Sequence, residues 1–233
     1  HTAHLGYGMR DLHRVTTGQR YAARPTRTAE RAGVEIEVGR TVHSCADGSV
    51  TTTGAAGPTT VQAGAVMLAT GVRERPRAAR LVPGDRPAGV LTTGALQQFA
   101  ALHHQRVGTR AVIVGAEHVS FSAVLTLAHG GCTVAAMVTP LPRHQTYAPL
   151  RVATAARHRV PIHTGVAVAE IVGGARVEAV VLSDGRRIEC DTVVFTGDWV
   201  PDHELARLSG LPLLPGARSP VVDSGGHTER RGV

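Results

Sequence analysis

Residues 111–138, AVIVGAEHVSFSAVLTLAHGGCTVAAMV, constrain the fold of this chain more than any other stretch. "RAVIV" is an apolar, β-branched run of strand length, and Gly115 ends it. An apolar helix is expected over about 118–129, stopped by Gly130–Gly131, and "CTVAAMV" (132–138) returns as a second strand. Strand, helix and strand in so short a span make a β-α-β unit with a parallel crossover. The turn invites comparison with G-x-G-x-x-G, which seats a dinucleotide diphosphate on a helix N-terminus. Gly115 supplies the tight turn. Glu117 stands where a second glycine lets backbone approach the phosphates, and Ser120 stands at the third position, where a small residue still permits close helix–strand packing.

The flanking segments extend this pattern. Residues 1–30 are polar, with a short helix expected around Met9–Gln19. "GVEIEVGRTVHSC" (33–45) alternates like a strand and can pair with "SVTTT" (49–53) across Asp47–Gly48. "AGAVMLATG" (63–71) is a continuous apolar run with the composition of a strand buried on both faces. "RERPRAARLVPGDRPAG" (73–89) is broken by prolines and glycines into a connector, and Thr93 is expected to cap a helix over 94–105. After the β-α-β unit come a second helix, roughly 148–158, and "VPIHTG" (160–165). The period then changes to short strands with turns at Gly173–Gly174 and Asp184–Gly185, a meander that feeds a last apolar strand, "DTVVFTG" (191–197). A short helix (202–210) and a strand (219–224) are expected at the end.

Composition removes several classes of function. The 233 residues suffice for one large domain or two small ones. The net charge of +7 is carried by arginine alone in a chain rich in Ala, Gly and Val, a pattern of codon bias rather than of a phosphate-binding stripe. Aromatics are only 3%, too few for stacking platforms, so no nucleic-acid partner is expected. No apolar run reaches membrane-span length and no signal peptide is visible, so a cytoplasmic location is expected. Cys45, Cys132 and Cys190 lie far apart without a C-x-x-C, and read as small buried hydrophobes. The histidines have no metal-ligand spacing, and no metal site is expected.

The order "VMLATG", "VIVGA", "VEAVVLSDGRRIECDTVVFTGDWVPDHEL" resembles the two-dinucleotide-binding flavoprotein oxidoreductases, the pyridine nucleotide-disulfide reductase superfamily. Within it, "ATGVRERPRAARLVPGDRPAGVLTTGALQ" (69–97) resembles the FAD-containing subunits of hydrogen cyanide synthase, opine oxidase and sarcosine oxidase, with their A-T-G-x-x-E-R-P and P-G…G-V-x-T-x-G-A-x-Q segments. The resemblance implies an α/β fold of interleaved Rossmann-like FAD/NAD(P)-binding domains, with parallel sheets and an antiparallel β-meander. Residues 1–109 and 196–233 would form an incomplete FAD-binding domain, and 110–195 an inserted NAD(P)-binding-like domain. Val42 would lie beside the adenine, and Ala69-Thr70-Gly71 would pass close to FAD. Gly197 and Asp198 would return the chain to the flavin region. Relative to the family pattern, a G-x-G-x-x-G before His1 and a Gly-Asp segment after Val233 are missing, so the chain is expected to be a fragment whose FAD site is incomplete as written.

At the inserted domain the cofactor-contact candidates are Gly115, Ala116, Glu117 and Ser120. Glu117 adds bulk and negative charge close to where a diphosphate would lie. The acidic residue expected at the end of the second strand to bind a ribose hydroxyl is replaced by Val138-Thr139-Pro140. Arg143 could face a 2′-phosphate or simply be solvated. The expectation is therefore a Rossmann-like shell kept for packing and assembly, with NAD(P) as the alternative occupant. "RERPRAAR" is either a solvated connector or a lure for anions, and Trp199 either packs or lines the site. No catalytic residue can be named, because a flavin carries the hydride chemistry itself. The expected function is FAD-dependent oxidation of an amine or amino-acid C–N bond, in company with a partner subunit. The alternatives are a redox-inert scaffold that binds a partner, or an NAD(P)H-dependent flavin reductase.

Overall fold

The computed structural model describes residues 18–46, 48–146 and 158–233. They divide into two compact units, one holding 18–29 and 74–198, the other 30–73 and 199–233. The described chain opens with helix α1 (Gly18–Arg31). Residues 9–17 of the helix expected at Met9–Gln19, and 148–157 of the one expected at 148–158, lie outside the described residues.

In the unit of 30–73 and 199–233, β1 (Thr41–Ala46), β2 (Ser49–Gly54) and β3 (Gly57–Gln62) form an antiparallel sheet in that order. The β1–β2 hairpin pairs Ala46 with Ser49 and Thr41 with Thr53, as the alternation predicts. The third strand was not anticipated: "GPTTVQ" is polar, and it exists because β2 offers it a free edge. One expected strand, 33–45, is shortened to β1, and another is absent. Residues 33–40 make no ladder, and Val38 stays 86% exposed. The run 63–71 is not a strand buried on both faces: Met67 is 91% exposed, and its backbone makes only scattered bonds, from Ala63 N–H to the Gly48 carbonyl, from Val66 N–H to the Gly232 carbonyl and from Asp202 N–H to the Gly71 carbonyl. Apolar composition asks for neighbours on both sides, and none pairs with it among the described residues.

The chain then forms β4 (Val72–Glu74) and a 3-10 turn (Arg77–Arg80) before the larger unit builds up. β5 (Val90–Thr92) leads into α2 (Thr93–Ala101), capped by Thr92 rather than by Thr93, because the Thr92 hydroxyl accepts the Ala95 N–H. The helix ends before 105, as His104 turns to positive φ. β6 (Arg110–Val114), α3 (His118–His129) and β7 (Thr133–Thr139) are the β-α-β unit. β8 (Ile162–Thr164), a meander of β9 (Val168–Gly173), β10 (Val177–Leu182) and β11 (Arg187–Glu189), and β12 (Thr192–Phe195) follow. The central sheet is fully parallel, in the order β5-β12-β6-β7-β8. Its side chains alternate between two cores. Ala111, Ile113, Met137 and Val194 meet Leu96 of α2 and Phe121, Val124 and Leu127 of α3. Val112, Val138, Val193 and Phe195 face the other way, onto Ile171, Val180 and Leu182 of the meander. Burial on both faces explains why these strands read as unbroken apolar runs.

β13 (Trp199–Pro201) pairs with β4, and α4 (Glu204–Leu208) packs on β1, where the Cys45 N–H donates to the Ser209 hydroxyl at 3.1 Å. The strand expected at 219–224 reduces to one bridge, Leu213 with Pro220, since Pro220 has no N–H to give a ladder.

Asp191 pins the parallel sheet at its N-terminal edge. Its carboxylate accepts the backbone N–H groups of Thr109 (2.7 Å) and Arg110 (3.1 Å) and the hydroxyls of Thr109 and Thr192. Burial pushes this carboxyl up, but the donors outweigh it and hold it at about 2. A folded value below the unfolded one means stability that is present above the usual carboxylate range and lost as pH falls toward 2. Asp191→Asn should cost about 1–3 kcal/mol at neutral pH. It should also flatten the acid side of the stability curve, as urea titrations across pH would show; an unchanged acid limb would contradict this role.

Candidate functional site

Within the larger unit, the C-terminal ends of β6 and β12 face the first turn of α3. This is the crevice where ligands of open α/β sheets bind. β6 ends at Gly115, with φ +140° and its N–H bonded to the Val138 carbonyl at 2.8 Å. Only glycine fits, since a Cβ there would stand 1.9 Å from Thr196 Oγ1 and 2.8 Å from Glu117 Oε2. Ala116 is buried, and its N–H donates to Glu117 Oε2 at 2.9 Å. Glu117 is the N-cap of α3, and its own N–H donates to Ser120 Oγ at 3.2 Å. Ser120, fully buried, shares a 2.7 Å hydroxyl contact with Thr196, which in turn donates to the Val114 carbonyl at 3.1 Å.

The carboxylate of Glu117 thus folds back over the turn. Its Oε2 takes a turn amide, and its Oε1 is buried without a hydrogen-bond partner. A Cβ on Gly197 would lie 2.5 Å from that Oε1, so the two residues share one small space. Gly197 (φ +65°) and Asp198 (φ +51°) both take left-handed backbone as the chain leaves β12. Glu117, Ser120, Gly115 and Ala116 therefore meet at the turn, joined by Gly197, which the resemblance had assigned to the flavin region, while the Asp198 carboxylate is drawn aside, 3.6 Å from Arg75 and 3.9 Å from Arg80.

Two residues not singled out from the sequence complete the place. Arg80 donates to the carbonyls of Thr196 (3.0 Å) and Gly197 (2.8 Å) and lies 5.2 Å over the Phe195 ring. Glu74 Oε2 accepts the Gly94 N–H at 2.9 Å, and its Oε1 is buried without a partner. Burial pushes the Glu74 carboxyl up, against the pull of that N–H and of Arg80. The signal for both residues was "RERPRAAR", whose arginines are mostly internal ties. Arg77 is buried and donates to the carbonyls of Val82, Pro83 and Asp85. The P-G-D segment then runs along β9: Gly84 passes so close that a Cβ would meet the Ile171 carbonyl at 2.1 Å, and the Asp85 carboxylate accepts the Gly173 N–H at 2.9 Å.

These residues do not fit a nicotinamide dinucleotide. The amide a diphosphate would use is taken by a carboxylate of the same chain. A like charge at 4 Å costs about 4 kcal/mol at an effective dielectric near 20. Thr139 is buried at the end of β7, where a ribose-binding acid would stand.

In the other unit, Val42 is 38% exposed in β1, opposite Thr52. Thr70 donates its hydroxyl to the Asp202 carbonyl at 2.6 Å, and Gly71 (φ +73°) accepts the Asp202 N–H, with open space where its Cβ would be. In the same unit, Ala65–Leu68, Pro220 and Val222 on one hand and His227, Arg230 and Arg231 on the other line an open cleft of about 630 Å³. Apolar residues facing basic ones suit a flat ring system that carries an anionic tail, such as a flavin nucleotide. Arg73 is committed to Asp202 and Glu204. Trp199 is 44% exposed and begins β13.

All three cysteines are free and buried. Burial pushes Cys132 and Cys190 up to about 11, and they belong to the cores on opposite faces of the sheet. They form no dithiol. Among the described residues no cluster of His, Cys, Asp and Glu could hold a metal, and no helix is long and apolar enough to cross a membrane.

The sequence pattern of the family described as "Pyridine nucleotide-disulphide oxidoreductase" matches residues 9–233. The chain belongs to that family. It is 31% identical over 182 residues to the ferredoxin reductase component of chlorobenzene dioxygenase from Cupriavidus sp. (strain PS12), covering 75% of this chain and 42% of that protein. Among solved structures, T. acidophilum thioredoxin reductase superposes with a TM-score of 0.73 at 20% identity, over 93% of this chain and 70% of the other. The ferredoxin reductase for the CYP199A2 system from Rhodopseudomonas palustris gives 0.63 at 27%, over 88% of this chain and 50% of the other. The chain thus spans less than half the length of its curated relative and about half of this second structure.

Gly197→Ala should destabilise the chain by at least about 1–2 kcal/mol, from its left-handed backbone alone. In a double-mutant cycle with Glu117→Ala, a coupling of at least about 0.5 kcal/mol should appear, because removing the carboxylate relieves the collision. Strict additivity would show that the two residues do not share the space. Separately, all three thiols of the folded chain should react with a disulfide reagent only on unfolding; rapid labelling at mildly alkaline pH would contradict their burial.

Proposed function

We propose that this chain is part of a flavin-dependent oxidoreductase that oxidises the C–N bond of an amine or amino acid by hydride transfer to flavin, with a partner subunit to receive the electrons. The carrying observation is the family match over 9–233 in a chain that has no dithiol. The segment 69–97, with its amine-oxidising resemblance, supports the substrate class. FAD, when bound, supplies the hydride acceptor. Val42, Ala69, Thr70 and Gly71 would hold it, with Gly197 and Asp198 returning the chain toward it, in an FAD domain of 1–109 and 196–233 interrupted by an inserted domain of 110–195. Small side chains at 69 and 71 admit the cofactor to the backbone, and the Thr70 bond to Asp202 fixes that backbone in place.

A second reading, an NAD(P)H-dependent reductase that feeds a partner protein, is favoured by one observation: the 31% identical relative is a ferredoxin reductase component. The purified chain, reconstituted with FAD, should show flavin absorption that bleaches anaerobically with an amine or amino acid from a substrate panel. Bleaching by NADH in place of these would support the second reading. A chain that takes up no flavin would contradict both.

A further inference from the structure

The first turn of α3 is a ready anion site: backbone N–H groups and the positive end of the helix dipole point at one place. We propose that Glu117 permanently occupies this place as a built-in substitute for a diphosphate, so that the glycine turn of this chain takes no NAD(P). Oε2 accepts the Ala116 N–H, as a phosphate oxygen would, and Ser120 Oγ turns back to hold the Glu117 amide. Oε1 is buried against Gly197, whose missing Cβ makes the room. A carboxylate oxygen left without a hydrogen bond is tolerated here because the helix end and the Arg80 guanidinium, held on the next carbonyls, offset its charge. Glu74, a second acid with a buried oxygen, lies close enough to feel the Glu117 charge, which helps push its carboxyl up. Moving Glu117 aside would break the Ala116 contact and leave its place over Gly197 empty.

The inference rests on the flavin reading only for its consequence, that the electron donor is an organic substrate rather than NAD(P)H. Its test needs no flavin. The full chain and two variants, Glu117→Gly and Glu117→Gln, would be titrated with NADH and with NADPH by calorimetry, with circular dichroism melts to confirm folding. The expected result is no saturable binding by the wild type and binding at least about tenfold tighter by Glu117→Gly, with a smaller gain for Glu117→Gln, which keeps the bulk and loses the charge. Wild-type binding as tight as that of Glu117→Gly would overturn the proposal. So would two folded variants that gain nothing, since the carboxylate would then not be what closes the site. A chain that fails to take up flavin leaves these outcomes readable, so the two proposals fail separately.

Discussion

A carboxylate laid against the first turn of α3 organises the larger unit. Its seat exists because Gly115 and Gly197 both lack a Cβ, and because Ser120 and Thr196 join hydroxyls beneath it. Through that hydroxyl pair the ends of β6 and β12 are tied to the helix, and Arg80 fastens the far side by holding the Thr196 and Gly197 carbonyls. Each contact alone is worth about 1 kcal/mol. Together they fix the one crevice where an open α/β sheet would normally take a ligand, and they fix it shut.

The segment 74–94, the source of the finer resemblance, has a structural logic of its own. Arg77 gathers three carbonyls, Gly84 brings the backbone against β9, Asp85 caps Gly173, and Gly89 approaches the Asp191 carbonyl too closely for any Cβ. The strap binds the meander to the parallel sheet. Its arginines are spent on carbonyls and acids of the same chain, so they lend little to steering an anion.

The β-α-β unit, the meander and the buried parallel strands were legible because periodicity and glycine punctuation report local structure directly. The turn itself was legible as far as its missing second glycine. What the sequence could not show is that Glu117 replaces the ligand it would repel, a fact that depends on Gly197, some eighty positions away. The run 63–71 misled for the opposite reason: its apolar composition states a need for neighbours on both faces, and composition cannot say whether they are present. β3 was missed because its strand character comes from the edge of β2 rather than from its own residues. Arg77 and Arg80 were read as surface charge because burial of a guanidinium is decided by carbonyls distant in sequence.

The dinucleotide seat at the first turn of α3 is filled from within, by Glu117. Family membership and fold predict a nucleotide there; the side chains argue against it. Crystals of the chain grown with saturating NADPH test this most directly. The Glu117 carboxylate is expected on the Ala116 amide and over Gly197, with no dinucleotide at the α3 N-terminus. A diphosphate seated on those amides, with Glu117 swung out to solvent, would contradict it.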